Sequence, residues 1–113
     1  MTIALRLPTA GVFGAALAAA LLAVAAPASA ADAQAGKLKF NTCLGCHGVP
    51  GYTNVYPSYH VPKLGGQHAD YLIAALKEYR TGQRPHPTMQ ANASGLDEAG
   101  SADVAAYLSS LPA

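Results

Sequence analysis

Two thiols and an imidazole lie close together in the chain, as Cys43, Cys46 and His47 in the run Cys-Leu-Gly-Cys-His. If this segment is helical, positions i, i+3 and i+4 share one face. The thiols can then reach the two vinyl groups on one edge of a porphyrin, and the imidazole can lie under its iron. This spacing is the signature of covalent c-type haem attachment. The sequence therefore predicts one haem c, bound through Cys43 and Cys46 with His47 as an axial ligand.

Three other interpretations of the two cysteines compete with haem attachment. A disulfide between Cys43 and Cys46 would close a very short loop and add little stability. A thioredoxin-like redox pair needs a surrounding strand–helix–strand unit, and no alternating strand pattern occurs. A structural zinc site needs four ligands, and the chain has only these two cysteines. The histidines that could complete such a site are His60, His68 and His86.

Met89 is the candidate for the second axial ligand, since the only other methionine is Met1. The two prolines at positions 85 and 87 predict a rigid loop, because proline fixes φ. A lone methionine is often core filler, but core filler normally lies on an apolar helix stripe. The rival ligands are His60, His68 and His86, of which His86 is nearest in sequence. Paired His/Met ligation is typical of electron-transfer haems.

Residues 1–30 have the pattern of a secretory signal peptide. Arg6 precedes an Ala/Leu/Val-rich stretch that ends in Pro-Ala-Ser-Ala at Ala30, a small-residue cleavage site. An uncleaved anchor is the alternative, but the apolar run is marginal for a span of roughly 20 residues and consists mostly of alanine. We expect cleavage after about Ala30, no stable membrane insertion, and a single domain over residues 31–113 in the bacterial periplasm.

Size and charge exclude several function classes. The roughly 80 residues that remain after the expected cleavage are too few for a dinucleotide-binding sheet. Their own hydrophobic core barely offsets the conformational entropy of the chain, so an additional stabilising element is expected. Six Lys/Arg balance six Asp/Glu in residues 31–113. No basic stripe is present, so a nucleic-acid partner is not expected.

Helical periodicity appears in three segments. The first covers residues 32–47, the second residues 67–81 with Gly82 at its end, and the third residues 98–110 with Asp97 as N-cap. Residues 48–66 and 82–95 are predicted loops, rich in Gly and Pro. The predicted fold class is all-α, with three main helices.

Together these features resemble the class I cytochromes c, most nearly the small bacterial periplasmic ones related to one half of the dihaem carriers. The matching pieces are Gly36, Phe40, the Cys43–His47 motif, the run 62–72, Met89 and the Ala-Ala-Tyr of residues 105–107. The resemblance covers nearly all of residues 32–112. It implies a small fold wrapped around one covalent haem, in which Gly36 lets the first and last helices cross closely and Phe40 meets Tyr107.

The same resemblance implies roles for further residues. His47 and Met89 are the implied axial ligands, and the Pro62 carbonyl is the implied acceptor for the second nitrogen of His47. Independently of the resemblance, we expect a large flat apolar group to pack against Leu64, Leu72, Leu76, Tyr79 and Leu96. Tyr71, Tyr79 and Arg84 are expected at the haem or its propionates. Gly100 and Ser101 depart from the pattern and should weaken the first turns of the last helix.

The predicted function is one-electron transfer, because protein ligands on both sides of the iron leave no open position for a substrate. The chain is thus not expected to be an enzyme, and its partners are expected to be redox proteins, which the sequence does not identify. It is either a free monomer or an electron-transfer subunit of a larger dehydrogenase or oxidase. A haem enzyme or sensor for peroxide or gases is the alternative if Met89 is labile.

Overall fold

The computed structural model describes residues 30–113, so the predicted export signal lies outside the described residues except for Ala30. Helices occupy most of this part, at α1 Ala33–Lys39, α2 Leu44–His47, α3 Ala69–Thr81, α4 Pro87–Ala93 and α5 Glu98–Ser109. A 3-10 segment, Phe40–Cys43, joins α1 to α2. Two short strands, β1 Thr53–Asn54 and β2 Tyr59–His60, form an antiparallel pair. The helix-dominated fold class is confirmed.

None of the helices within residues 30–113 has the length and apolar character needed to cross a membrane.

The first predicted helix has the right extent but is not continuous. Asp32 begins it as N-cap, with its carboxylate accepting from the N–H groups of Gln34 at 2.8 Å and Ala35 at 3.2 Å. The middle turn then tightens into the 3-10 segment. As a result Cys43 ends that segment, while Cys46 and His47 lie on α2.

The two later helices agree closely with prediction. Gly82 ends α3 in the left-handed conformation, with φ of 77°, a conformation that glycine adopts without steric cost. Asp97 caps α5 by accepting the Gly100 N–H at 2.7 Å. The predicted first residue of α3 was two positions early.

Both predicted loops were wrong in part. The segment 48–66 contains β1 and β2, paired with Thr53 opposite His60 and Asn54 opposite Tyr59. Strands of two residues are too short to show an alternating pattern. The segment 82–95 contains α4, with Pro87 in its first turn, where the missing N–H costs nothing. Met89 therefore lies on a helix and not on a rigid proline-rich loop, which corrects that prediction.

The core lies where α5 packs against α1 and α3, and α4 packs against α3. Its buried members are Phe40, Leu72, Val104, Ala105 and Leu108. The rings of Phe40 and Tyr107 meet with centroids 5.9 Å apart, as the resemblance implied. Gly100 and Ser101 are buried in α5, and the Ser101 hydroxyl donates to the Asp97 carbonyl at 2.8 Å. The two residues that depart from the family pattern are thus buried inside the fold.

Gly36 and Asp103 mark the closest approach of α1 and α5. A Cβ atom added at Gly36 would overlap the backbone carbonyl of Asp103. The Asp103 carboxylate also binds α1, accepting from the Lys39 ammonium and from the Asp32 N–H at 2.7 Å. The hydrogen bond from Lys39 and then that from Asp32 lower the pKa of Asp103, while the bond to Asp103 raises the pKa of Lys39.

Gly36→Ala should destabilise the protein by about 1–3 kcal/mol, because the added methyl group must push two backbones apart. The measurement is the urea midpoint of the holoprotein. Gly95→Ala is the matched control, since a Cβ at Gly95 meets only the Asn92 carbonyl at 3.6 Å. Equal midpoints for the two variants would contradict the close helix crossing.

Asp103→Asn should destabilise the protein at neutral pH and make little difference in acid. The pKa of Asp103 is lowered on folding, so its contribution is present above the ordinary carboxyl value of 3.8 and is lost as the pH falls through the folded-state value. Urea midpoints of both proteins, compared between pH 6 and pH values well below 3.8, test this. A difference that stays constant over that range would contradict it.

Candidate haem-binding site

The three residues of the motif line a single cavity. Cys43 and Cys46 are free, half-buried thiols, and His47 is half-buried beside them. No disulfide joins the cysteines. No group of three or more His, Cys, Asp or Glu suited to a metal ion occurs within residues 30–113. The disulfide and zinc interpretations are therefore not supported.

The orientation of the His47 ring is fixed by a backbone contact. Its Nδ1–H donates to the Pro62 carbonyl at 2.9 Å. A carbonyl oxygen only accepts, so Nδ1 carries the proton. In the neutral ring this leaves Nε2 with a free lone pair, which is the form that binds a metal.

A thioether enters the same cavity from another element. Met89 lies in the first turn of α4, is half-buried and lines the cavity. Its backbone N–H donates to Nδ1 of His86, the N-cap residue of α4, at 3.3 Å. The first turn of α4 therefore fixes the position of the Met89 backbone beside the cavity.

The other histidines occupy different positions. His60, on β2, is exposed and lines the cavity, with Nδ1 at 2.9 Å from the Thr53 hydroxyl. His68 is exposed at the N-terminal end of α3 and is not among the described residues that line the cavity. His86 lines it and packs edge-on against Tyr59.

The cavity walls are mainly apolar and bring together all the predicted site residues. These are Cys43, Cys46, His47, Pro62, Leu64, Tyr71, Leu72, Tyr79, Arg84 and Met89. Sequence reasoning did not assign several other lining residues to the site, among them Tyr59, Ala75, Asn92 and Val104. Recognising α4 from Pro87 at a helix start would have identified Asn92, three residues after Met89 and so on the same helix face.

One cation lies at the cavity, between two aromatic rings. The guanidinium carbon of Arg84 is 5.1 Å from the ring centroid of Tyr79 and 5.9 Å from that of Tyr71. Arg84 also pairs with Glu78, with Nε 3.2 Å from Oε2. Contacts with Tyr71 and then Tyr79 raise the pKa of Arg84, so its charge is permanent. Such a group suits an anionic substituent such as a carboxylate.

The donor set and the walls of the cavity fit a c-type haem. Two free thiols, the His47 imidazole with its available Nε2 and the Met89 thioether share the cavity, which His60 and His86 also line. The core side chains of Leu72, Val104 and Leu108 form part of its wall. These are the groups that covalent attachment, axial ligation and exclusion of water require.

Comparison with known proteins agrees with this chemistry. The family described as cytochrome c matches residues 33–112. Cytochrome c-554(548) of Halomonas halodenitrificans is 45% identical over 84 residues, covering 72% of this chain and 98% of the relative. Cytochrome c4 of Pseudomonas aeruginosa is 35% identical over 82 residues, covering 73% of this chain and 39% of the relative.

A solved structure shows the same relationship. The cytochrome c4 of Acidithiobacillus ferrooxidans superposes with a TM-score of 0.60 at 37% identity, covering 72% of this chain and 50% of that one. The chain thus spans nearly all of the Halomonas protein but half or less of these cytochromes c4. It belongs to the cytochrome c family, as an electron-transfer protein that carries one covalent haem c and resembles one half of a cytochrome c4.

Proposed function

We propose that the protein is a periplasmic one-electron carrier with His47 and Met89 as the axial ligands of its haem iron. The observation that carries the proposal is the convergence of two thiols, the His47 imidazole and the Met89 thioether on one apolar cavity. When bound, the haem supplies the Fe(III)/Fe(II) couple. Cys43 and Cys46 provide the thioether bonds that anchor it.

His47 is suited to axial ligation because one of its ring nitrogens is already hydrogen-bonded to the backbone. The Pro62 carbonyl accepts from Nδ1 and holds the ring in one orientation. Hydrogen bonding of this kind fixes the tautomer and increases the basicity of the other nitrogen. We assign Pro62 this supporting role.

The cap of α4 favours Met89 over His86 as the second ligand. Nδ1 of His86 accepts the Met89 N–H, so the proton of the neutral ring is on Nε2. Binding a metal through Nε2 would move that proton to Nδ1 and break the cap, and binding through Nδ1 would also break it. Met89 is under no such restriction, because its sulfur takes no part in the backbone hydrogen bond.

The cavity wall and the proposed methionine ligand both bear on the redox potential of the haem. Leu64 and Leu72 exclude water from the space between the ligands, while Tyr71, Tyr79 and Arg84 provide the polar side. Methionine ligation raises the potential of a haem relative to other axial pairs. We therefore expect a potential in the upper part of the range for haem proteins.

The proposed location rests on the N-terminal segment, and the proposed partners rest on exposed apolar side chains. The signal-peptide pattern of residues 1–30 supports export, with cleavage after about Ala30. The partners would be redox proteins that dock on exposed apolar side chains. Among residues 30–113, Leu44 and Tyr56 are exposed apolar side chains of the kind that such docking uses.

Met89→Ala should abolish the iron–sulfur charge-transfer band of the ferric protein, lower the potential and open the ferrous haem to carbon monoxide. The measurements are absorption spectra and a redox titration. The wild-type ferrous protein, with both axial positions filled, should change little when carbon monoxide is added. Absence of the band in the wild-type protein, or a Met89→Ala spectrum that matches the wild type, would show that the ligand assignment is wrong.

Cys43→Ala/Cys46→Ala should leave the chain largely unfolded, because the described core contains few large apolar side chains and depends on the attached group. Circular dichroism of this double variant, compared with the wild-type holoprotein, tests the expectation. Full native helicity in the variant would contradict it.

A further inference from the structure

The first turn of α4 depends on one side chain for its capping. Pro87 has no N–H, so the first backbone donors of the helix are those of Thr88 and Met89. The His86 carbonyl accepts from Gln90 at 2.8 Å, and His86 Nδ1 accepts from Met89 at 3.3 Å. Histidine is not among the residues that usually cap helices, which are Ser, Thr, Asp and Asn.

Two tyrosine rings pack against the imidazole ring of His86. Tyr59 of β2 packs against the His86 ring edge-on, with centroids 4.7 Å apart and planes at 76°. Tyr79 of α3 approaches it at 6.2 Å and 82°. Both distances lie in the range of favourable edge-to-face aromatic pairs. The hairpin, α3 and α4 therefore meet at His86.

We propose that His86 is a positioning residue for Met89, and that Tyr59 supports it from the hairpin. The cap holds the turn from which the methionine side chain extends, so it favours the state in which the thioether stays at the iron. The inference rests on the proposed ligation by Met89. Loss of a cap changes a helix-forming equilibrium about fivefold, and the population with Met89 displaced should rise by a similar factor.

The test uses the ferrous holoprotein and its apparent affinity for carbon monoxide, which binds only when Met89 is displaced. His86→Ala should raise this affinity about fivefold. His86→Asn should recover most of the wild-type value, because the amide oxygen of asparagine can cap the turn. Asp97→Ala is the matched control, since it removes the cap of α5, a helix without an axial ligand. It should lower the urea midpoint and leave the carbon monoxide affinity unchanged.

A second pair of variants tests the support from the hairpin without touching the cap. Tyr59→Ala should raise the carbon monoxide affinity in the same direction as His86→Ala but by a smaller factor. Val55→Ala truncates a side chain of the same hairpin that is 88% exposed, and it should have no effect. If His86→Ala does not fold, the comparison of Tyr59→Ala with Val55→Ala still tests the positioning role of His86.

The outcomes separate this inference from the proposed function. If Met89→Ala loses the charge-transfer band but His86→Ala and Asp97→Ala alter carbon monoxide affinity equally, the positioning role is overturned and the ligand assignment stands. Failure of His86→Asn to recover the wild-type affinity would also overturn it. If Met89→Ala keeps the band, the ligand assignment fails, and the inference fails with it.

Discussion

The fold depends on enclosing one large apolar group that the side chains of residues 30–113 cannot replace. Within residues 30–113, the buried hydrophobic side chains larger than alanine are Phe40, Leu72, Val104 and Leu108. All four also line the cavity. Since so few side chains cannot offset the entropy of ordering the chain, the core and the cofactor site are one structure. Covalent attachment at the cysteines makes the apolar group a permanent part of it.

The helix crossing supplies the frame around that cavity. The absence of a side chain at Gly36 lets α1 approach α5 closely, and the Asp103 carboxylate joins the start of α1 to α5. The first helix leads directly into the cysteines, while α5 contributes Val104 and Leu108 to the cavity wall. The position of the thiols therefore depends on contacts made well away from them.

The motif and the ligand candidates could be predicted because their chemistry is encoded locally. The Cys43–His47 spacing indicates haem attachment, and Met89 stands out as the only methionine besides Met1. The helix that presents Met89 could not be recognised from periodicity, since it has seven residues and two prolines at or near its start. The hairpin was missed because each strand has two residues. Both elements are fixed by tertiary contacts, such as that between Tyr59 and His86, which a linear pattern does not contain.

In the proposed function, one haem with protein ligands on both sides of its iron exchanges single electrons. A potentiometric titration of the purified holoprotein, followed by absorption spectroscopy, tests this function. We expect one transition that fits a single electron, with six-coordinate spectra in both oxidation states. A five-coordinate spectrum in either state, or a titration that needs more than one haem, would contradict it.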